Sequence, residues 1–308
     1  MRRVLVIGGS GFVGSHVVRA LVTDGARPML FGPAMESDRL ADLAGRFDVT
    51  EGSILSRTAL RDVLQASAAE AVVSCAAFSS GRAGLMRSGE AEADAAMDVN
   101  VLGLARLLDA AREAGVQRVV WTSSTVVYGP SDDYPVQPVD EDAASGPVTL
   151  YGLTKAVAEQ VSAYHRRRHG QDVVALRLPL VLGPGLWYEG AAAALAGLFR
   201  APRPSTLAFH DERIDLIHVA DVADAVMAVL RHQWALGAVY NLEGFRCRAS
   251  DILRCIEMRR PGPAIRLDLV PPASLFPLIT GARLRRDTGF NAAYDLPRFV
   301  DAMLEGTG

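Results

Sequence analysis

Apolar residues in the first 180 positions come in short solid blocks rather than in alternation. The blocks are "RVLVIG" at 3–8, "ARPMLFG" at 26–32, "AVVSCAA" at 71–77, "RVVWTSS" at 118–124 and "DVVALRLPLVLG" at 172–183. Several are rich in β-branched residues, and a strand that is apolar on both faces belongs inside a sheet covered from both sides. Between the blocks the period changes. "SHVVRALVTDG", "SRTALRDVLQASA", "AAMDVNVLGLARLLDAAREAG" and "YGLTKAVAEQVSAYHRRRHG" repeat their apolar positions every three to four residues, the spacing of one buried helix face. Gly25, Gly115 and Gly170 end three of these stretches, where a left-handed residue closes a helix. Alternating strands and helices predict an α/β fold built on a doubly wound parallel sheet.

Past residue 183 the alternation weakens. Proline and glycine clusters at "GPGLWYEG", "RAPRPST", "RRPGPA" and "VPPASLFP" interrupt the chain, and one strand-helix signal returns at "RIDLIHVADVADAVMAVLRHQ", 213–233. The expected organisation is a dinucleotide-type domain from 1–180 plus about 212–243. A smaller, irregular C-terminal substrate lobe would take about 181–211 and 244–308.

Composition removes several classes. With 50% hydrophobic and 22% charged residues the chain can bury a large core, and its net charge of −3 comes without a long basic block. Neither nucleic acid nor an anionic membrane is expected as a partner. Cys75, Cys247 and Cys255 form no CxxC and the histidines no HExxH, so no metal site is expected. No apolar run approaches the roughly 18 residues of a membrane span. The apolar stretch near Met1 is also too short for a secretory signal, so a cytoplasmic protein is the expectation.

The segment "VLVIGGSGFVGSH" sets Gly8, Gly11 and Gly14 three residues apart, straight after a strand and opening a helix. Glycines there permit a tight turn and let backbone N–H groups, including those of Phe12 and Val13, meet a pyrophosphate at the positive end of the helix. The expected cofactor is NAD or NADP. At the end of the second strand, where a carboxylate would bond a ribose 2′-hydroxyl, the chain has Gly32; Glu36 and Asp38 come later and Arg39 follows. Both cofactors stay open on this reading.

Of the 32 lysines and arginines, Lys155 is the only lysine. Tyr151 lies four residues earlier, which puts both side chains on one helix face. A free tyrosine, with a pKa of about 10, is a poor base at neutral pH. A nearby ammonium stabilises its phenolate, and lysine does this as a compact point charge where arginine presents a planar fork. The hydroxyl run Thr122 to Thr125 ends a strand at the sheet edge where ligands bind, and offers Ser124 to hold a substrate oxygen.

Taken together, "GGSGFVGSH", "SCAA", "DVNVLGLARLL", "TSSTVVYG", "YGLTK", "LRLPLVLGPG", "IDLIHVADVADAV" and "DTGFNAAYDLPRFVDAML" resemble the extended short-chain dehydrogenase/reductase family. The likeness is to its NAD(P)-dependent sugar-nucleotide epimerases, dehydratases and reductases, over nearly the whole chain. The resemblance implies a Rossmann domain with Ser124 as catalytic hydroxyl, Tyr151 as acid/base and Lys155 holding the nicotinamide ribose. It also implies Asn100 as a structural residue near the active site, Ser53 and Ile54 beside adenine, and Ala76 and Ala77 where the chain passes the cofactor. Ser124, Thr125 and Arg286 would face the substrate, with Arg286 on a diphosphate. A homodimer is implied through helices at about 95–114 and 151–168, with Leu104 and Leu108 as candidate outward apolar positions that would equally fit as ordinary core residues.

The sequence departs from the family's pattern in three places. Thr125 and Val126 stand where dehydratases carry an Asp-Glu pair, Leu180 replaces a substrate-contacting asparagine, and Ile214 replaces a diphosphate-binding arginine. Arg213 lies one residue earlier, which in a strand is the opposite face. The expected activity is that of an NAD(P)-dependent sugar-nucleotide epimerase working by transient hydride transfer. The alternatives are a reductase or dehydrogenase of a keto-sugar or other small carbonyl compound, and a non-catalytic NAD(P)-sensing protein.

Overall fold

A computed structural model describes residues 3–33, 38–200, 205–263 and 265–305. Its strands are β1 (Val4–Ile7), β2 (Met29–Gly32), β3 (Asp48–Glu51), β4 (Ala71–Ser74), β5 (Arg118–Ser124), β6 (Asp172–Leu178), β7 (Leu180–Leu182), β8 (Ser205–Phe209), β9 (Ile214–His218), β10 (Val239–Asn241), β11 (Phe245–Cys247) and β12 (Ile265–Leu269). Seven form a parallel sheet in the order β10-β6-β5-β4-β1-β2-β3. Strand order reverses between β1 and β4, and at such a reversal a crevice opens beyond the carboxyl ends of the strands.

The solid apolar blocks follow from this sandwich. Val4 and Val6 point into one core with the helices Phe12–Thr23 and Val219–Arg231, which pack on each other. Leu5 and Ile7 point into the other core, beneath Arg57–Ser67, Leu104–Glu113 and Leu150–His169. Each strand is thus apolar on both faces. Gly25, Gly115 and Gly170 all have positive φ, at 80°, 71° and 64°, where the preceding helices end.

Three features differ from the sequence pattern. The edge strand β3, "DVTE", alternates between half-buried and exposed residues and carries no apolar block. The block at 172–183 divides at Pro179: β6 stays in the main sheet, while β7 joins a three-stranded sheet in the order β11-β9-β7. Proline has no N–H with which to continue the ladder. As a result the 212–243 unit is shared. Its helix Val219–Arg231 and β10 belong to the main sheet, whereas β9 belongs with the C-terminal lobe.

The third difference concerns Leu104 and Leu108, which are core residues at 4% and 0% exposure, not outward ones. With Leu107 and Ala111 they make one stripe at i, i+3, i+4 and i+7 facing the sheet. The exposed apolar residues of these helices are Leu102, Leu153 and Tyr164. Among the described residues no helix is long and apolar enough to cross a membrane.

Candidate active site

The glycine loop is shaped by contacts that a side chain would obstruct. Gly8 has φ +73°, its N–H donates to the Phe31 carbonyl at 2.9 Å, and Gly11 N–H donates to the Gly8 carbonyl at 3.1 Å. A Cβ on Gly14 would stand 2.1 Å from that same Gly8 oxygen, so only glycine lets the helix start press onto the loop. Ser15 N–H donates to Gly11 O, which leaves the first-turn N–H groups of Phe12, Val13 and Gly14 without intrahelical acceptors. Free donors at the positive end of a helix, over a cradle that a Cβ would fill, fit the pyrophosphate of a dinucleotide.

The other predicted cofactor positions follow β3 and β4 of the same sheet. Half-buried Ala76 and Ala77 follow β4, and Ala76 N lies 3.2 Å from where a Gly8 Cβ would be. Beyond β3, Ser53 is exposed, while Ile54 packs into the core towards Gly103. At the end of β2, Gly32 is buried. Glu36 and the Asp38 side chain lie outside the described residues. Arg39 Nε donates to the Gly185 carbonyl at 3.1 Å, and its guanidinium lies 6.0 Å from the Trp187 ring centroid.

Helix Leu150–His169 places the next group. Thr149 caps it by accepting from Gly152 N–H at 3.1 Å, and Glu90 accepts from Leu150 N–H at 2.7 Å. Tyr151 therefore sits in the first turn and Lys155 one turn on. Both are buried, at 8% and 2% exposure. Burial raises the Tyr151 hydroxyl above its ordinary range, the neighbouring Tyr188 phenol adds to this, and the nearby Ser124 hydroxyl opposes it. Ser124 and Tyr151 thus meet at the carboxyl end of β5, with Thr125 next in a short 3-10 turn.

Lys155 Nζ donates to the Thr122 carbonyl at 2.8 Å, and lies 5.6 Å from the Tyr151 ring centroid. A spacing of four on one helix face predicts the ammonium beside the phenolic oxygen. Among the described residues it instead bonds backbone and faces the Tyr151 ring. Burial pushes the Lys155 pKa down to about 8, with Cys75 and Glu159 acting against that.

Asn100 lies in a π-helical turn, Asp98–Gly103. It accepts from Phe78 N–H at 2.8 Å and donates to Thr154 Oγ1 at 3.0 Å, tying the β4 loop to the helix that carries Tyr151 and Lys155.

The sequence reading misses a polar network one turn beyond Lys155. Arg177 Nε and Nη2 donate to Glu159 at 2.9 and 2.7 Å, Ser123 Oγ donates to Glu159 at 2.6 Å, and Arg177 Nη1 donates to the Tyr128 hydroxyl at 2.7 Å. An arginine inside a solid apolar strand was the available signal. Tyr188 is also missed: its ring meets Phe12 edge-on, with centroids 6.2 Å apart. The segment bearing Tyr188 is tied down at both ends, by Pro184 O with His16 Nε2 at 3.0 Å and by Glu189 N–H to Arg82 O at 2.7 Å.

The substrate positions divide. Ser124 and Thr125 stand at the centre described above, but Arg286 does not join them. Its side chain is 71% exposed and bonds Asp287 at 2.7 Å. Asp287 in turn accepts from the Tyr240 hydroxyl, which also receives Gly237 N–H at the amino end of β10. The adjacent carboxylate holds this arginine at the opposite end of the sheet. Leu180 and Ile214 pack against the core of the C-terminal lobe, and Arg213 is exposed.

Known proteins share this architecture. A UDP-glucose 4-epimerase of Azospirillum brasilense is 29% identical over 327 residues, covering 95% of this chain and 88% of that protein. A D-erythronate dehydrogenase of Cupriavidus necator is 34% identical over 209 residues, covering 65% of this chain and 61% of that one. The crystal structure of UDP-glucose 4-epimerase from Thermotoga maritima with UDP-glucose superposes with a TM-score of 0.83 at 20% identity, over 99% of this chain and 98% of that one. The model of the NAD dependent epimerase/dehydratase family matches residues 4–242, and the chain belongs to that family of NAD(P)-dependent enzymes.

Proposed function

We propose that the chain is an NAD(P)-dependent sugar-nucleotide epimerase whose reaction centre is Ser124, Tyr151 and Lys155. The observation that carries the reading is the burial of Tyr151 and Lys155 one helical turn apart, with the ammonium 5.6 Å from the Tyr151 ring and Ser124 at the carboxyl edge of a sheet whose glycine loop fits a dinucleotide. The likeness to UDP-glucose 4-epimerases over almost the whole chain supports it.

The glycine-loop donors and Lys155 would hold a nicotinamide dinucleotide, which would supply reversible hydride transfer to and from either face of the substrate carbinol carbon. Tyr151 accepts the hydroxyl proton as that carbon is oxidised and gives it back on reduction. Ser124 hydrogen-bonds the same oxygen throughout, which fixes its distance from the phenol. Lys155 supplies a positive charge that favours the phenolate and holds the ribose of the bound cofactor. Phe12, Val13 and Gly14 N–H groups receive the pyrophosphate, Ala76 and Ala77 border it, and Ser53 and the Ile54 backbone flank adenine. Asn100 keeps the β4 loop and the Tyr151 helix in register. Leu102, Leu153 and Tyr164 supply the apolar contact of a homodimer.

A second reading is a dehydrogenase or reductase of a less charged hydroxy compound. It is favoured by Leu180 and Ile214 in the lobe core and by Arg286 at the far end of the sheet, which leave a diphosphate without the two arginines the family pattern would provide. One experiment separates the readings. The protein is incubated with UDP-glucose and catalytic NAD, with separation of the C4 epimers and simultaneous measurement of reduced-cofactor absorbance. Epimer formation at constant absorbance is expected. Stoichiometric accumulation of reduced cofactor, or turnover confined to small hydroxy acids, favours the second reading. Tight cofactor binding without turnover of either substrate class favours a sensor.

A further inference from the structure

Lys155 lies close to two aromatic rings. Nζ lies 5.5 Å from the Trp121 ring centroid and 5.6 Å from that of Tyr151, both within the roughly 6 Å reach of cation–π attraction. Its hydrogen bond runs to the carbonyl of Thr122, the residue after Trp121. Trp121 lies in the middle of β5, between Ser74 of β4 and Ala175 of β6, and is 3% exposed. It shares a core with Leu107, Leu108 and Ala158. Its indole Nε1 is buried with no hydrogen-bond partner among the described residues.

That unpartnered donor is informative. A phenylalanine or leucine would fill the same core without stranding an N–H, which is unfavourable in the interior. What tryptophan adds is its ring face, the strongest cation–π surface among the side chains.

We propose that Trp121 is a positioning residue for Lys155: its indole face and the Tyr151 ring form two walls that keep the ammonium charged and seated on the Thr122 carbonyl. Burial acts in the opposite sense and lowers the Lys155 pKa to about 8. Cys75 after β4, together with Glu159 and Tyr151 on the lysine's own helix, are the titratable groups around it, and Glu159 is itself paired with Arg177. Replacement of the indole by a weaker ring or an aliphatic group releases the proton at lower pH, whatever substrate the enzyme turns over.

The solitary lysine makes the test direct. Full-length protein grown on ¹³C-labelled lysine carries one lysine NMR signal, so the titration of Lys155 is followed without assignment and without turnover. Incorporation of mono- and trifluorinated tryptophan weakens the ring face stepwise with little change of shape. The Lys155 midpoint is expected to fall with each step, by about one pH unit at the highest fluorination, the size of a desolvated cation–π contact. Trp121→Phe is expected to give about half that fall and Trp121→Leu the whole of it, with the alkaline limb of kcat/KM moving in parallel. The same shift in a Trp187→Phe, Trp234→Phe background assigns it to Trp121. A midpoint unmoved by fluorination and by Trp121→Phe in folded protein overturns the proposal and leaves the indole as a space-filler. If Trp121→Leu fails to fold, the fluorinated series decides alone.

Discussion

Glu159 and Arg177 face each other in a two-pronged ion pair with contacts of 2.9 and 2.7 Å, and neither side chain is more than 7% exposed. Ser123 and Tyr128 occupy further positions on the two charged groups, so the pair is desolvated yet hydrogen-bonded on several sides. Removal of one partner leaves a buried charge without its counterion. Glu159→Gln or Arg177→Met alone should each cost about 3–5 kcal/mol of unfolding free energy. The double variant Glu159→Gln, Arg177→Met should lose much less than the sum of the two. Urea unfolding of the four proteins checks this, and additive losses would show that the two groups act independently.

Tyr151→Phe keeps the ring that faces Lys155 and removes only the hydroxyl. Loss of the proton carrier should lower turnover by about 10²–10⁴. Dinucleotide affinity, measured by calorimetric titration, should stay within a few-fold, because the glycine-loop donors are untouched. A proportionate loss of both would mean that the substitution disturbs the fold rather than the proton transfer.

The pH dependence of Lys155 has a definite sign. Its pKa in the folded chain is near 8, below the ordinary 10.5, so the buried charge is a full penalty below pH 8 that is relieved as pH rises towards 10.5. Unfolding measurements should therefore show stability gaining from this group between about pH 8 and 10.5, and Lys155→Met should lack that component. Over the same window dinucleotide affinity should weaken in the wild type and remain flat in the variant.

His218 gives the acid limb. Its Nδ1 accepts from Ala220 N–H at 3.3 Å, its ring stacks on Tyr294 at 4.0 Å, and burial lowers its pKa to about 4, with His16 and Arg298 contributing. The unfolded chain takes up a proton near pH 6.5 while the folded chain resists until about 4. Stability is thus lost as pH falls through that interval. His218→Asn retains a side-chain cap for the following helix but cannot titrate. It should start from a lower Tm at pH 7, through the lost stacking, and fall less steeply from pH 6.5 to 4. A slope equal to that of the wild type would place the acid sensitivity elsewhere.

What could be read from the sequence, and what could not, follows from how each residue meets its surroundings. The parallel sheet was legible because its strands are buried on both faces, so that Leu5 and Val6 are both apolar although they enter different cores. Tyr151 and Lys155 were legible because a helix converts a spacing of four into one shared face. β3 was not, since an edge strand with half its residues in water has no need of an apolar block. The division at Pro179 turned on one missing N–H, which the continuous apolar run on either side concealed. Arg286 bonds the carboxylate beside it instead of reaching the Ser124 centre, and in a chain so rich in arginine a matched position says little about where the guanidinium turns. Trp121 lies in an apolar strand block and is core; its second contact, with an ammonium, depends on a side chain 34 positions later and has no local signature.

The burial of Lys155 also fixes how the folded molecule meets reagents that seek lysine. Its single lysine side chain is enclosed, so a lysine-specific endoprotease has no site to cut on the native surface. Once the helix around residue 155 opens, the same protease makes one cut and yields two fragments of nearly equal length. The rate of that cut is a clock for the opening of the helix that encloses Lys155.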